Sequence, residues 1–187
     1  MVVLVTGSSR GIGDSIRSVF REHTVIDPSR IEMDLSNITS VERYLKGLPP
    51  VDIVINNAGI NYINTLEKET LQSVQNTFAV NYLAPLIICQ HFLPHMKNQK
   101  YGRIVNIGSI WINYAKPGRG SYSASKNALH SLTRTITSEY SKHNILCNTI
   151  SPGYIVTDLT LQNNSEEDIQ KIKEHILVHI NYYLCII

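Results

Sequence analysis

Val2-Val3-Leu4-Val5-Thr6-Gly7-Ser8-Ser9-Arg10-Gly11-Ile12-Gly13 opens the chain as an apolar run that breaks into a glycine-rich turn. Residues 2–6 read as a buried strand, and residues 11–22 as the helix that follows. Glycines in such a turn let the backbone bend tightly and approach a pyrophosphate. The helix start then offers free N–H groups and the positive end of its dipole to that anion. Gly7, Ser9, Arg10, Gly11, Ile12 and Gly13 are therefore candidate phosphate-cradle residues. Tight packing alone would also explain the glycines. The strand before, the helix after and an acidic residue downstream favour the cradle.

That acidic residue is Asp27, twenty positions past Gly7 and at the end of a short strand over Thr24 to Ile26. A carboxylate there can accept both ribose hydroxyls of an adenosine, and it repels a 2′-phosphate. Arg10 argues the other way, because a guanidinium beside the pocket can bind a 2′-phosphate. The carboxylate is the more direct discriminator, so NAD is expected ahead of NADP. A plain turn before Pro28 is the alternative for Asp27.

Further along, apolar runs alternate with longer amphipathic segments, the pattern of βαβ units on a parallel sheet. Residues 30–33 could form another strand ending at Asp34, although so short a connection from Asp27 is unusual for a parallel crossover. Ile38 to Lys46 reads as a helix. Residues 51–55 read as a buried strand running into Asn56-Asn57-Ala58-Gly59. A long helical region covers 67–98, with Pro85 as a kink or break. Residues 103–107 and 145–150 are strands, 121–142 a long helix and 165–175 a capped amphipathic helix. One domain over residues 1–187 is expected, with an atypical apolar tail over 176–187.

Composition narrows the function classes. The 187 residues carry a net charge of +2, with basic residues scattered rather than clustered. That gives no footprint for nucleic acid or an acidic membrane. The cysteines, Cys89, Cys147 and Cys185, are far apart and odd in number, so buried free thiols are expected and not a disulfide framework. No leader or spanning segment is legible, since the tail is too short and too interrupted by His179 and Asn181. A cytoplasmic protein with no metal site is expected.

Tyr122 and Lys126 lie four residues apart in Ser-Tyr-Ser-Ala-Ser-Lys, on one face of the predicted helix. An ammonium beside a phenol favours the phenolate, so the tyrosine pKa is expected to fall toward the range of a working acid or base. A solvated helix face is the plain alternative for the pair alone.

These residues together resemble the short-chain dehydrogenase/reductase family. Thr6, Gly7, Gly11 and Gly13 match its glycine motif, and Asn56-Asn57-Ala58-Gly59 its Asn-Asn-Ala-Gly run. Asn81 matches its active-site asparagine, Ser109 its serine, Tyr122 and Lys126 its Tyr-x-x-x-Lys. Pro152-Gly153, followed by Ile155 and Thr157, matches its last loop. The distances from Asn81 to Ser109 and from Ser109 to Tyr122 look like those of the carrier-protein ketoacyl reductases in that family. The match covers residues 1 to about 160 and is specific for the family but not for a substrate.

The resemblance implies a Rossmann-type doubly wound parallel α/β sheet with helices on both faces. It also implies hydride transfer between NAD(P) and a secondary alcohol or ketone, and a homo-oligomer. Tyr122 would move the proton, and Lys126 would lower its pKa and bind the nicotinamide ribose. Ser109 would steady the substrate oxygen, and Asn81 would hold a water leading to Lys126. Asp34 and Leu35 would flank the adenine, and Asn57, Ala58 and Gly59 would line the cofactor. Ile155 and Thr157 would meet the carboxamide, and Trp111 and Tyr114 would shape the pocket. The polar segment Leu159 to His175 stands where relatives carry a lid, and a solvated helix start would explain it as well.

Relatives usually run to about 250 residues, so the resemblance also implies that a last helix and final strand are missing here. Two other functions remain open at this point. One is a truncated cofactor-binding protein without activity. The other is a nucleotide-sugar epimerase or dehydratase, against which the asparagine run and the absence of a C-terminal substrate domain argue.

Overall fold

The computed structural model describes residues 1–175. The expected tail over 176–187, and with it Cys185, lies outside them. Five parallel strands form one sheet in the order β2-β1-β3-β4-β5. They are β1 (Val2–Val5), β2 (Thr24–Ile26), β3 (Ile53–Asn56), β4 (Gly102–Ile107) and β5 (Ile145–Ile150). The helices are α1 (Gly11–Val19), α2 (Ile38–Leu45), α3 (Leu71–Phe78), α4 (Ala84–Gln99), α5 (Gly120–Tyr140), α6 (Asp158–Gln162) and α7 (Glu166–His175).

The alternation within β1 assigns the two faces. Leu4 joins Val41, Leu45, Val54, Ile88, Phe92, Met96, Ile104 and Leu129 in the main core, under α2, α4 and α5. Val3 and Val5 point the other way and pack with Ile53, Ile55, Ile16 and Phe20 under α1. From β1 the chain passes first to β2 on one side, then to β3, β4 and β5 on the other. The order reverses at β1 and β3, and a crevice opens at the carboxyl ends of those strands.

Two stretches depart from the sequence expectation. Residues 30–33 are turn and coil, and β2 is the sheet edge. Side chains there capture the local backbone. Glu32 Oε2 accepts from the Ser29 N–H and hydroxyl at 2.8 and 2.7 Å, and Asp34 Oδ1 accepts from those of Ser36 at 3.0 and 2.7 Å. Such bonds compete with ladder pairing, and Ile31 is left 96% exposed.

The 67–98 region is also not one helix. A π-turn, Ala79–Leu83, separates α3 from α4, with Asn81 at its centre. Pro85 follows in the first turn of α4, where a missing N–H matters least. Cys89 and Cys147 are free and buried, and burial pushes both thiols up to about 12.

Candidate active site

The crevice is a cavity of about 730 Å³. Its floor begins at the glycine turn. Gly7 and Gly11 take φ of +66° and +57°, which side chains disfavour. A Cβ on Gly13 would overlap the Gly7 carbonyl oxygen, so only glycine lets α1 start this close to β1. Arg10 caps α1 without a side-chain hydrogen bond, which leaves the first-turn N–H groups open to the cavity. Asn57 braces the turn from β3. Its Nδ2 donates to the Thr6 and Gly7 carbonyls at 3.0 and 2.9 Å, while the Thr6 hydroxyl accepts from the Asn57 and Ala58 N–H groups, both at 3.1 Å. This cradle of open N–H groups and glycine backbone fits a dinucleotide pyrophosphate.

At the far end, Ser109 follows β4 and its Oγ accepts from the Trp111 N–H at 3.3 Å. Its hydroxyl is also within hydrogen-bonding reach of the Tyr122 phenol. Tyr122 and Lys126 come from the first turns of α5, with Lys126 Nζ 5.8 Å from the phenol ring centre. The ammonium is buried and donates to the Ile107 carbonyl at 2.6 Å. Burial lowers its pKa from 10.5 to about 8.

The phenol behaves differently from the sequence expectation. Burial raises the Tyr122 pKa above 10, against the opposing pull of hydrogen bonding to Ser109 and of the Arg119 charge. Desolvation of the anion outweighs the neighbouring cations.

Asn81 is fully buried behind the cavity wall and is not one of the lining residues. Its Nδ2 donates to the Ile60 carbonyl and to Ser125 Oγ at 2.9 and 3.0 Å, and its Oδ1 accepts from the Ile60 N–H at 2.9 Å. Both amide protons and one Oδ1 lone pair are therefore committed within the protein. A Cβ on Gly59 would stand 3.4 Å from Lys126 Nζ and 3.5 Å from Asn81 Oδ1, so these three elements converge.

Apart from Asn81 and Tyr114, the residues expected at the site line the cavity: Gly7, Ser9, Arg10, Gly11, Ile12, Gly13, Asp27, Asp34, Leu35, Asn57, Ala58, Gly59, Ser109, Tyr122, Lys126, Pro152, Gly153, Ile155 and Thr157. The end of the cavity around Asp27 and Asp34 is solvated. Asp27 Oδ2 lies 3.6 Å from Arg17 Nη1, and Arg10 Nη1 lies 3.3 Å from Asp158 Oδ2. Asp34 both closes the Ser36 turn and faces the cavity, and the Ser36 hydrogen bonds with the nearby Arg30 hold its carboxyl below the usual range.

Three expectations change. Tyr114 is 65% exposed and does not line the pocket, although Trp111 does. Part of the polar segment does face the cavity, through Leu159, Thr160, Asn163 and Asn164. Arg119 and Asn61 also line it and were not expected. The only signal for Arg119 was a charged residue between two glycines, three positions before Tyr122. Among the described residues there is no cluster of three or more metal-ligating side chains, and no helix is long and apolar enough to cross a membrane.

Comparison with known proteins places this arrangement among relatives. A family model described as short chain dehydrogenase matches residues 27–168. The chain is 29% identical to the 3-oxoacyl-acyl-carrier-protein reductase FabG of Vibrio cholerae, over 89% of this chain and 78% of that protein. Its fold is similar to that of 4-hydroxyisoleucine dehydrogenase complexed with NADH, with a TM-score of 0.82, 29% identity and coverage of 91% and 80%. It is also similar to a short chain dehydrogenase from Burkholderia cenocepacia in complex with NADP, with a TM-score of 0.79, 28% identity and coverage of 88% and 76%.

Proposed function

The chain belongs to the short-chain dehydrogenase family of oxidoreductases, and on that premise we propose that it transfers a hydride between a nicotinamide dinucleotide and a secondary alcohol or its ketone. The observation that carries the proposal is the convergence of Ser109, Tyr122 and Lys126 at one end of a cavity whose other end is the open start of α1.

The dinucleotide, when bound, supplies the hydride chemistry. The glycine turn and the α1 N–H groups hold its pyrophosphate. Ile155 and Thr157 meet its carboxamide, and Asp34 and Leu35 its adenine. Asp27 accepts from the adenosine ribose and favours NAD over NADP. Arg10 has its own carboxylate in Asp158, which leaves it less disposed toward a 2′-phosphate.

Tyr122 gives a proton to the carbonyl oxygen in reduction, or takes one from the alcohol in oxidation. Ser109 turns its hydroxyl proton from the phenol toward the same oxygen as charge develops there. Lys126 has two ammonium donors left beyond its bond to Ile107, and these reach the nicotinamide ribose. Asn81 acts through others, pinning Ile60 and α5 so that the wall behind Lys126 keeps its shape.

A panel of ketones with NADH at neutral pH tests the reading, with Tyr122→Phe beside the wild type. Turnover by the wild type and a loss of about a hundredfold or more in the variant, with NADH affinity kept within a few-fold, are expected. Equal turnover by both proteins would remove Tyr122 from the chemistry.

A further inference from the structure

Four arginines border the cavity, and three of them face a carboxylate. Arg10 lies 3.3 Å from Asp158, Arg17 lies 2.8 Å from Asp14 and 3.6 Å from Asp27, and Arg30 lies 3.8 Å from Asp34. All three are well exposed, so water would solvate them even if those pairs opened. Arg119 differs in both respects. It is only 6% exposed, and its Nε has no hydrogen-bond partner. Among the described residues no carboxylate comes within ion-pair distance of it. Glu69, beside Gly120, accepts from the Ser121 N–H and hydroxyl through Oε1 and forms no ion pair with Arg119.

A guanidinium stays charged at any pH the fold survives, and burying it without an anion or acceptors is unfavourable. Its position is nevertheless well defined. Gly118, at φ +78°, and Gly120 press the segment against Ile63 and Leu66, where a Cβ on either would lie 2.9 and 2.8 Å from those side chains. Arg119 pairs with Asn64 through the backbone and caps α5. Its guanidinium stands 5.6 Å from the Trp111 ring centre, in the turn that Ser109 opens. Tyr122 is three residues further along the same helix, close enough to feel the Arg119 charge. The unpaired cation is therefore at the reacting end of the cavity, apart from the glycine cradle.

Resting on the oxidoreductase reading above, we infer that Arg119 receives a carboxylate carried by the substrate, which makes the chain a dehydrogenase of hydroxy- or keto-carboxylic acids. A carboxylate matches the planar donor fork of a guanidinium in a way a neutral carbonyl does not. Bound there, it supplies the counter-charge that the protein lacks and sets the distance from the anion to the carbon that exchanges hydride. Asn61 Oδ1, the other unpartnered buried atom on this wall, is an acceptor and calls for a donor on the substrate.

The test assays a series of 2-, 3- and 4-hydroxy monocarboxylates, each beside its own methyl ester, which keeps the carbinol and removes the charge. For at least one pair, the acid should exceed the ester in kcat/KM by about a hundredfold. Arg119→Gln should bring that ratio close to unity, and Arg119→Lys should keep part of it. The wild-type ratio alone decides the matter if Arg119→Gln does not fold.

Wild-type turnover of esters or neutral ketones as fast as acids would overturn the anion role and leave the oxidoreductase reading intact. An unchanged acid-to-ester ratio in Arg119→Gln, with both rates falling and the pH profile moving upward, would assign the residue to phenol acidity and contradict the inference. Failure to bind NADH or turn over any alcohol would remove the oxidoreductase reading and the inference with it.

Discussion

The two ends of the cavity are held by different physics. Around Ser109 and Tyr122, polar groups are buried and fixed by backbone partners: Asn81 by Ile60 and Lys126 by the Ile107 carbonyl. Around Asp27 and Asp34, charged side chains stand in water in pairs as long as 3.8 Å. Buried hydrogen bonds are expensive to leave unmade, whereas exposed ion pairs are screened and weak. The Ser109–Tyr122 end is therefore shaped in advance, and the Asp27–Asp34 end can adjust to what it meets.

The largest expected effect lies at the buried end. Asn81→Ala leaves the Ile60 N–H and carbonyl and the Ser125 hydroxyl without their partner, and should lower stability to urea by about 3 kcal/mol. A loss under about 1 kcal/mol would break the claim that this end is locked.

Lys126 sharpens the same contrast through pH. The unfolded chain keeps the lysine proton up to about pH 10.5, while the folded chain releases it near 8. Between those values the unfolded state binds more protons, so stability should rise with pH, by up to about 1.4 kcal/mol per unit. Below 8 both states are charged and the slope vanishes. As pH passes 10 Tyr122 opposes this rise, and above 10.5 it reverses the trend, because its raised pKa makes the folded state the stronger proton binder. Denaturation curves at pH 8 and 9.5 check this, and Lys126→Met should flatten the difference.

Smaller effects belong to the solvated end. Asp27→Asn removes a charge from the edge of the cavity, and should shift the NADPH-to-NADH affinity ratio by about tenfold toward NADPH. An unchanged ratio would detach Asp27 from the ribose. Arg10→Gln breaks an exposed pair with Asp158, and should alter stability by less than about 0.5 kcal/mol. A larger change in thermal melting would show this end to be as rigid as the other.

Legibility in the sequence followed the same divide. The glycine turn and the Tyr122–Lys126 pair are readable because a strand end and helix spacing fix where those groups go, whereas Asn57 and Ser109 are legible only through the family's motifs. Residues 30–33 stay ambiguous in sequence because an apolar pair, Ile31 and Met33, imitates a strand period, while Ser29, Glu32 and Ser36 bond locally and prevent one. The π-turn at Asn81 leaves no trace in a 3.6-residue pattern, since one slipped hydrogen bond does not disturb the apolar spacing. The upward shift of Tyr122 was invisible for another reason. Spacing reveals a neighbouring charge, but desolvation depends on everything packed around the ring.

Fluorescence titration of the purified, folded protein with NADH and with NADPH tests the central claim most directly. Saturable binding of one dinucleotide per chain, tighter for NADH, is the result expected of a cradle formed by Gly7, Gly11, Gly13 and Asn57 with Asp27 at its rim. Absence of association with either dinucleotide would contradict it.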